Sequence, residues 1–262
     1  MLFYSYQAMP DFNLSYYYIF MSGHSKWATT KRQKAVVDAK RGTIFTKLAN
    51  VITIAAREKG VDTTANFSLR IAIEKARAAN MPKENIERAI KRGTGELNGA
   101  QIDELIYEGF GPAKTQFIVK SLSDNKNRSA AAIRHLFTKY EGALGSVIWN
   151  FEQKGVIRIM DEELTDKNLS NNEQFELELI DNGVQDIEKE DEGLTIYTQS
   201  NDLQKVKNYL ESKNIKTETA EIEYVAKDKV AISGEDKEKV EKFIEELEDN
   251  EDISDYYANV NI

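Results

Sequence analysis

Six cations crowd into sixteen residues near the start of this chain: Lys26, Lys31, Arg32, Lys34, Lys40 and Arg41, with Asp38 the lone acid among them. Lysine and arginine at that density neutralise phosphates and release condensed counterions, the term that dominates affinity for a nucleic acid. Lys47 extends the set. Trp27, inside it, offers either a flat face on which an exposed base stacks or an apolar anchor that ties the segment to whatever lies behind it. The run from Gly23 to Gly42 has little apolar periodicity and is expected to stay loose until it meets a partner. The phosphate contacts expected from the sequence are therefore Lys26, Lys31, Arg32, Lys34, Lys40, Arg41 and Lys47, with Trp27 stacking or anchoring.

A second candidate lies at Ser123-Asp124-Asn125-Lys126-Asn127-Arg128-Ser129, where a strand is expected to turn into a helix. Asp, Asn and Ser cap a helix start, and Lys126, Asn127 and Arg128 beside its free N–H groups make a candidate anion site. Capping with solvated charges explains the same residues equally well. Catalytic constellations are not expected. There is no cysteine, and His24 and His135 are the only histidines, which leaves no His/Cys metal site. No GxxxxGK[ST] loop is present. The acidic runs at 161–163, 188–192 and 245–252 fall where solvated surface charge is ordinary. The chain is read as a non-enzyme with no cofactor, no metal and no small-molecule substrate.

Three helices are expected to carry the basic segment. Thr43–Lys59 sets Ile44, Leu48, Val51, Ile52 and Ala55 on one face and ends at Gly60. Asn66–Asn80 repeats the pattern with Phe67, Leu69, Ile73 and Ala76. A third helix opens at Pro82, carries Ile86 and Ile90, and ends at Gly93. Lys47, Arg57, Arg70, Arg77, Arg88, Lys91 and Arg92 are expected on outer faces. No helix shows the Arg/Asn/Gln cluster of a base-reading surface, so sequence-specific readout is not indicated.

Charge divides the chain at about residue 95. Residues 21–95 hold 16 Lys+Arg against 6 Asp+Glu, whereas residues 96–262 hold 19 against 37. The overall charge of −9 conceals a basic head on an acidic body, and a polyanion responds to the local field rather than to the sum.

Beyond Gly95 the pattern mixes strands and helices. Strands are expected at 105–110, 116–122, 146–151 and 155–160, with a helix at 129–140 between the second and third. A helix at 173–182, strands at 184–188 and 194–198, a helix at 202–212 and a strand at 216–225 complete a β-α-β-β-α-β unit of ferredoxin type. A strand at 229–232, a helix at 236–248 and a strand at 253–260 join the earlier pieces into a second such unit. The expected fold class is α+β: an N-terminal three-helix domain, then two ferredoxin-like α/β domains, one inserted into the other. The expected boundaries are 21–95 for the basic tail and helical domain, 96–152 with 228–262 for the discontinuous domain, and 153–227 for the insert. Residues 1–20 carry eight aromatics and no Lys or Arg. They fit neither a signal peptide nor a transit sequence and are read as a non-native or disordered extension before Met21.

The chain resembles the YebC/PmpR family. The resemblance rests on Gly23-His24-Ser25-Lys26-Trp27, Asp38-Ala39-Lys40-Arg41-Gly42, Lys75 through Lys83, Asn85 through Lys91, Gly93-Thr94-Gly95-Glu96 and Tyr107-Glu108-Gly109. It spans residues 21–262 and is most specific through Pro112. It implies three domains, no catalytic site, a cytoplasmic location, and DNA-binding transcriptional regulation; relatives that act as translation factors imply a ribosomal alternative. Pro112-Ala113-Lys114 stands where the family has Pro-Gly-Gly, and the 142–147 loop is shorter than usual. The expected partner is nucleic acid, as DNA or as ribosomal RNA, and no membrane. A third reading is an adaptor that docks a basic protein on the acidic body. Oligomeric state is left open by the sequence.

Overall fold

In a computed structural model the described residues are 37–167, 169, 172–190 and 193–260. Helix α1 (Val37–Lys59) packs against α2 (Phe67–Ala78) and α3 (Lys83–Gly93). Leu48, Ile52, Ala55 and Ala56 of α1 meet Leu69, Ala72, Ile73 and Ala76 of α2 and Ile86 and Ala89 of α3. Asn66 is fully buried at the corner. Its side-chain oxygen accepts the Leu69 N–H at 3.0 Å, capping α2, while its amide donates to the carbonyls of Ala55 (2.8 Å) and Gly60 (2.7 Å) at the end of α1. One side chain thus closes two helices. Helices α1 and α3 touch at Gly93, where a Cβ would stand 2.4 Å from the Thr53 carbonyl oxygen. Helix α1 begins six residues before the expected Thr43, so Lys40 and Arg41 belong to it. Ala39, Lys40 and Arg41 are strong helix formers, and helix propagation continues through them.

Two four-stranded antiparallel sheets follow. The first has strands β1 (Asp103–Phe110), β2 (Gln116–Ser123), β3 (Ala143–Leu144) and β8 (Ile253–Ala258) in the order β3-β1-β2-β8. Helices α4 (Lys126–Lys139) and α8 (Gly234–Asp249) contribute to the core on one of its faces. There Phe243 meets Phe117 and Phe137 edge to face at centroid distances of 5.0 and 5.1 Å. The second sheet has β4 (Phe151–Met160), β5 (Val184–Glu190), β6 (Gly193–Gln199) and β7 (Thr219–Ala226) in the order β5-β6-β4-β7. Helices α5 (Asp161–Asp166) and α6 (Glu173–Asp181) follow β4 and α7 (Leu203–Ser212) follows β6, and their apolar residues join Ile157, Ile159 and Ile196 in one core. The architecture is α+β, helices first and two antiparallel sheets after.

The first sheet departs from the expected strand assignment at three places. Its inner position is filled by β1, which pairs with β2 as a hairpin, and residues 229–232 make only a single bridge between Val230 and Val260. Residues 146–150 form no strand. The N–H groups of Val147 and Ile148, both at 2.8 Å, donate to one carboxylate oxygen of Glu108. That withdraws them from any strand ladder, and a 3₁₀ turn at Ile148–Asn150 leads into β4.

Candidate nucleic-acid interface

Lys26, Trp27, Lys31, Arg32 and Lys34 lie outside the described residues. The described part of the interface begins with α1. Lys40 occupies its first turn, and Arg41 is exposed with its guanidinium 5.6 Å from the centroid of the Phe45 ring, one turn on. Both positions continue the basic run onto a rigid element.

Lys47 belongs elsewhere. Its side chain is 7% exposed, and its ammonium donates to the Glu248 carbonyl at 2.5 Å. Burial lowers its pKa to about 8, against the opposing pull of Glu248, Asp255, Asp249 and Glu251. A group so placed ties the helical domain to the end of α8 and is withdrawn from the set of phosphate contacts. The sequence held the signal: Lys47 stands three residues after Ile44 and four before Val51, on the apolar stripe itself.

The other cations expected on outer faces divide in the same way. Arg77, Arg88 and Lys91 are exposed. Arg57, itself exposed, and the partly buried Arg92 clamp the connection to β1, donating to the carbonyls of Ile102 (2.6 Å) and Ala100 (2.9 Å). Arg70 is partly buried with its guanidinium 5.2 Å from the centroid of the Phe67 ring. The exposed surface of α3 carries Glu84 and Glu87 toward its start and Arg88 and Lys91 toward its end, charges that follow the helix dipole rather than a base-reading pattern.

The 123–129 turn forms the expected cap, with Asn125 accepting the Arg128 N–H at 3.0 Å. Its charges, however, face the chain's own carboxylates. Arg128 grips Asp252 at 3.0 and 3.3 Å and Asp124 at 3.1 Å, and the Ser129 hydroxyl donates to Asp252 at 2.8 Å. Lys126 pairs with Asp103 at 3.2 Å, while Asn127 is exposed. Asp252 holds the place an external anion would take.

Where the helical domain meets both sheets there is a cavity of about 270 Å³, walled in part by Leu48, Phe67 and Tyr257. Its charged groups pair with one another: Lys75 with Glu221 at 2.5 Å and Lys120 with Glu104 at 3.1 Å. Burial pushes the Asp255 carboxyl up in pKa there, with Lys120 and Lys75 opposing. Among the described residues, no helix is long and apolar enough to cross a membrane.

The model of the TACO1/YebC protein N-terminal domain matches residues 25–96, and that of the TACO1/YebC second and third domain matches residues 102–260. The chain belongs to the TACO1/YebC family. A "probable transcriptional regulatory protein" of Thermoanaerobacter pseudethanolicus is 47% identical over 245 residues, spanning 92% of this chain and 98% of that protein. A protein of the same description from Thermotoga maritima is 46% identical over 242 residues, spanning 91% and 93%. Among solved structures, a conserved hypothetical protein from Aquifex aeolicus superposes with a TM-score of 0.78 at 41% identity, covering 91% of this chain and 97% of that one. The TACO1/YebC boundary between the two matched models, residues 97–101, falls on the connection that Arg57 and Arg92 clamp.

Proposed function

We propose that this TACO1/YebC protein regulates gene expression without catalysis, by binding nucleic acid through its basic head, with duplex DNA as the target. The contacts are Lys26, Lys31, Arg32, Lys34, Lys40 and Arg41, and Trp27 stacks or anchors beside them. One observation carries the reading: 16 basic residues against 6 acidic ones from residue 21 to 95, then 19 against 37 beyond it. Such a molecule meets a polyanion head first, because the net charge of the body as a whole opposes what the head attracts. The relatives named probable transcriptional regulatory proteins support the same class of role, and the family resemblance supports a cytoplasmic setting.

Six phosphate contacts give a log-log salt slope of about −5 on duplex DNA and about −4 on single strands. Reversing Lys31, Arg32 and Lys34 together flattens the slope; an unchanged slope removes them from the site. A full-length protein with no affinity for DNA, RNA or ribosomes in dilute buffer overturns the reading.

The lack of a base-reading cluster on the three helices favours a second target, structured RNA on the ribosome, which is gripped by backbone and shape. Crosslinking followed by sequencing of the recovered nucleic acid distinguishes promoter DNA from ribosomal RNA. Failure to co-sediment with ribosomes at low salt excludes the second target.

A further inference from the structure

Trp149 is the most exposed large apolar side chain among the described residues, at 60%, and Ile148 beside it is 40% exposed. Exposure of this kind usually accompanies a loose loop. Here the opposite holds, since the 3₁₀ turn that carries Trp149 is fastened on both flanks. On one side the Glu108 carboxylate accepts the N–H groups of Val147 and Ile148 at 2.8 Å each and the Ser146 hydroxyl at 3.2 Å. On the other, Asn150 is buried; its amide donates to the Gln116 side chain at 2.7 Å and the Asp228 carbonyl at 3.1 Å, and it accepts the Asp228 N–H at 3.0 Å. The indole N–H is satisfied within the turn by the Ser146 carbonyl at 3.2 Å. What remains for a ligand is the aromatic face, with its polar edge already turned inward.

A cation stands at the backbone of the same turn. The exposed Lys227 reaches the Trp149 carbonyl with its ammonium at 3.2 Å. A rigid aromatic plane with a neighbouring ammonium matches one nucleotide, the base on the ring and its phosphate on the lysine. Rigidity matters because an ordered platform loses little conformational entropy on binding.

We infer that Trp149, Ile148 and Lys227 form a second nucleic-acid contact on the body, which takes an unpaired base of a single strand. It rests on the reading of the chain as a nucleic-acid binder and places on the acidic body a contact that the charge count alone does not show. The Lys227 charge favours this occupant over an apolar protein surface, which would desolvate the ammonium while offering it no anion.

The test uses the full chain with dye-labelled oligo(dT) and oligo(U) and a duplex of equal length. W149A is expected to weaken binding to both single strands about tenfold or more, to leave duplex affinity unchanged, and to keep the wild-type thermal unfolding curve. K227A is expected to reduce the salt slope on oligo(dT) by about 0.7. In a W27F chain Trp149 is the sole tryptophan, and its emission is expected to be quenched by either oligomer. Equal single-strand affinity of W149A and wild type, with no quenching, overturns the inference and leaves the basic head intact as a binder. Emission changes that follow protein concentration alone indicate a second copy on the patch and overturn it too. If the wild type binds no nucleic acid at all, the inference falls with the reading it rests on.

Discussion

The two sheets of this protein solve the same packing problem from opposite ends of sequence space. The second sheet is built from one contiguous run of the chain, β4 to β7, arranged in the order β5-β6-β4-β7. The first sheet is closed by β8, which pairs Phe117 with Ala258 and Ile118 with Tyr257 across the whole inserted domain. The helical domain and the second sheet both attach to the first sheet, although the helical domain also reaches the second through Lys75 and Glu221. Lys47 and Arg57 bring the helical domain to the Glu248 and Ile102 carbonyls. Val147, Phe151, Ala226 and Tyr257 join the second sheet to Ile118. The difference teaches that the non-local sheet is the joint of the molecule, and that disturbing it should release more than itself.

The sharpest test sets one core substitution in each sheet side by side. Phe243 is fully buried between Phe117, Phe137 and Tyr140. F243A is expected to cost about 3–5 kcal/mol, and hydrogen exchange should show protection lost in both sheets. In the second sheet, Arg158 and Glu223 form a buried bidentate pair at 2.6 and 3.0 Å, with side chains 2% and 1% exposed. E223A leaves an uncompensated buried charge and is expected to cost about 3–5 kcal/mol, with exchange confined to the second sheet and its helices. The double variant R158M/E223L removes both charges and is expected to recover wild-type stability or exceed it. Uniform loss of protection in E223A would remove the distinction between joint and insert.

A smaller effect reports on the joint itself. Lys47 has a pKa near 8 in the folded protein against an ordinary value of 10.5. Between those pH values the unfolded chain binds more protons than the folded one, so stability rises with pH across that window. Below pH 8 both states are charged and the full cost of burying the ammonium is present. The rise from pH 8 to 10.5 is expected to amount to roughly 2–4 kcal/mol. K47M, which fills the same space without a charge, should lack that rise. Denaturant titrations of both proteins at several pH values measure the difference; parallel curves would show that Lys47 is not held where α1 meets α8.

Much of this architecture was legible in the sequence, and what was missed has a physical cause in each case. The three helices follow from a 3.6-residue period, and the second sheet from strands and helices whose partners are near in sequence. The position of β1 beside β2 is not a periodic property, because a hairpin and a crossover leave the same local pattern. Residues 146–150 look like a strand until a carboxylate some forty positions upstream takes their N–H groups. Arg128 looks like an anion ligand until Asp252, 124 positions away, fills the site. Lys47 differs from these, since its place on the apolar stripe was visible, but a basic segment invites every lysine to be counted as a contact. Local chemistry proposes a ligand site, and long-range carboxylates decide whether it is already occupied.

The smallest expected effect concerns the turn that joins β1 to β2. Ala113 and Lys114 have φ values of 54° and 60°, consecutive left-handed residues with side chains. That geometry brings Cβ against the following carbonyl and costs an L-residue about 1–2 kcal/mol. Glycine relieves the clash but adds freedom to the unfolded chain, so A113G and K114G should each stabilise by about 0.5–1 kcal/mol rather than by the full strain. The gain should appear in the joint: slower exchange in β1 and β2, with no change in β5 or β6. If neither substitution raises the unfolding midpoint, the hairpin holds these residues without strain and the turn contributes nothing to how the first sheet is built.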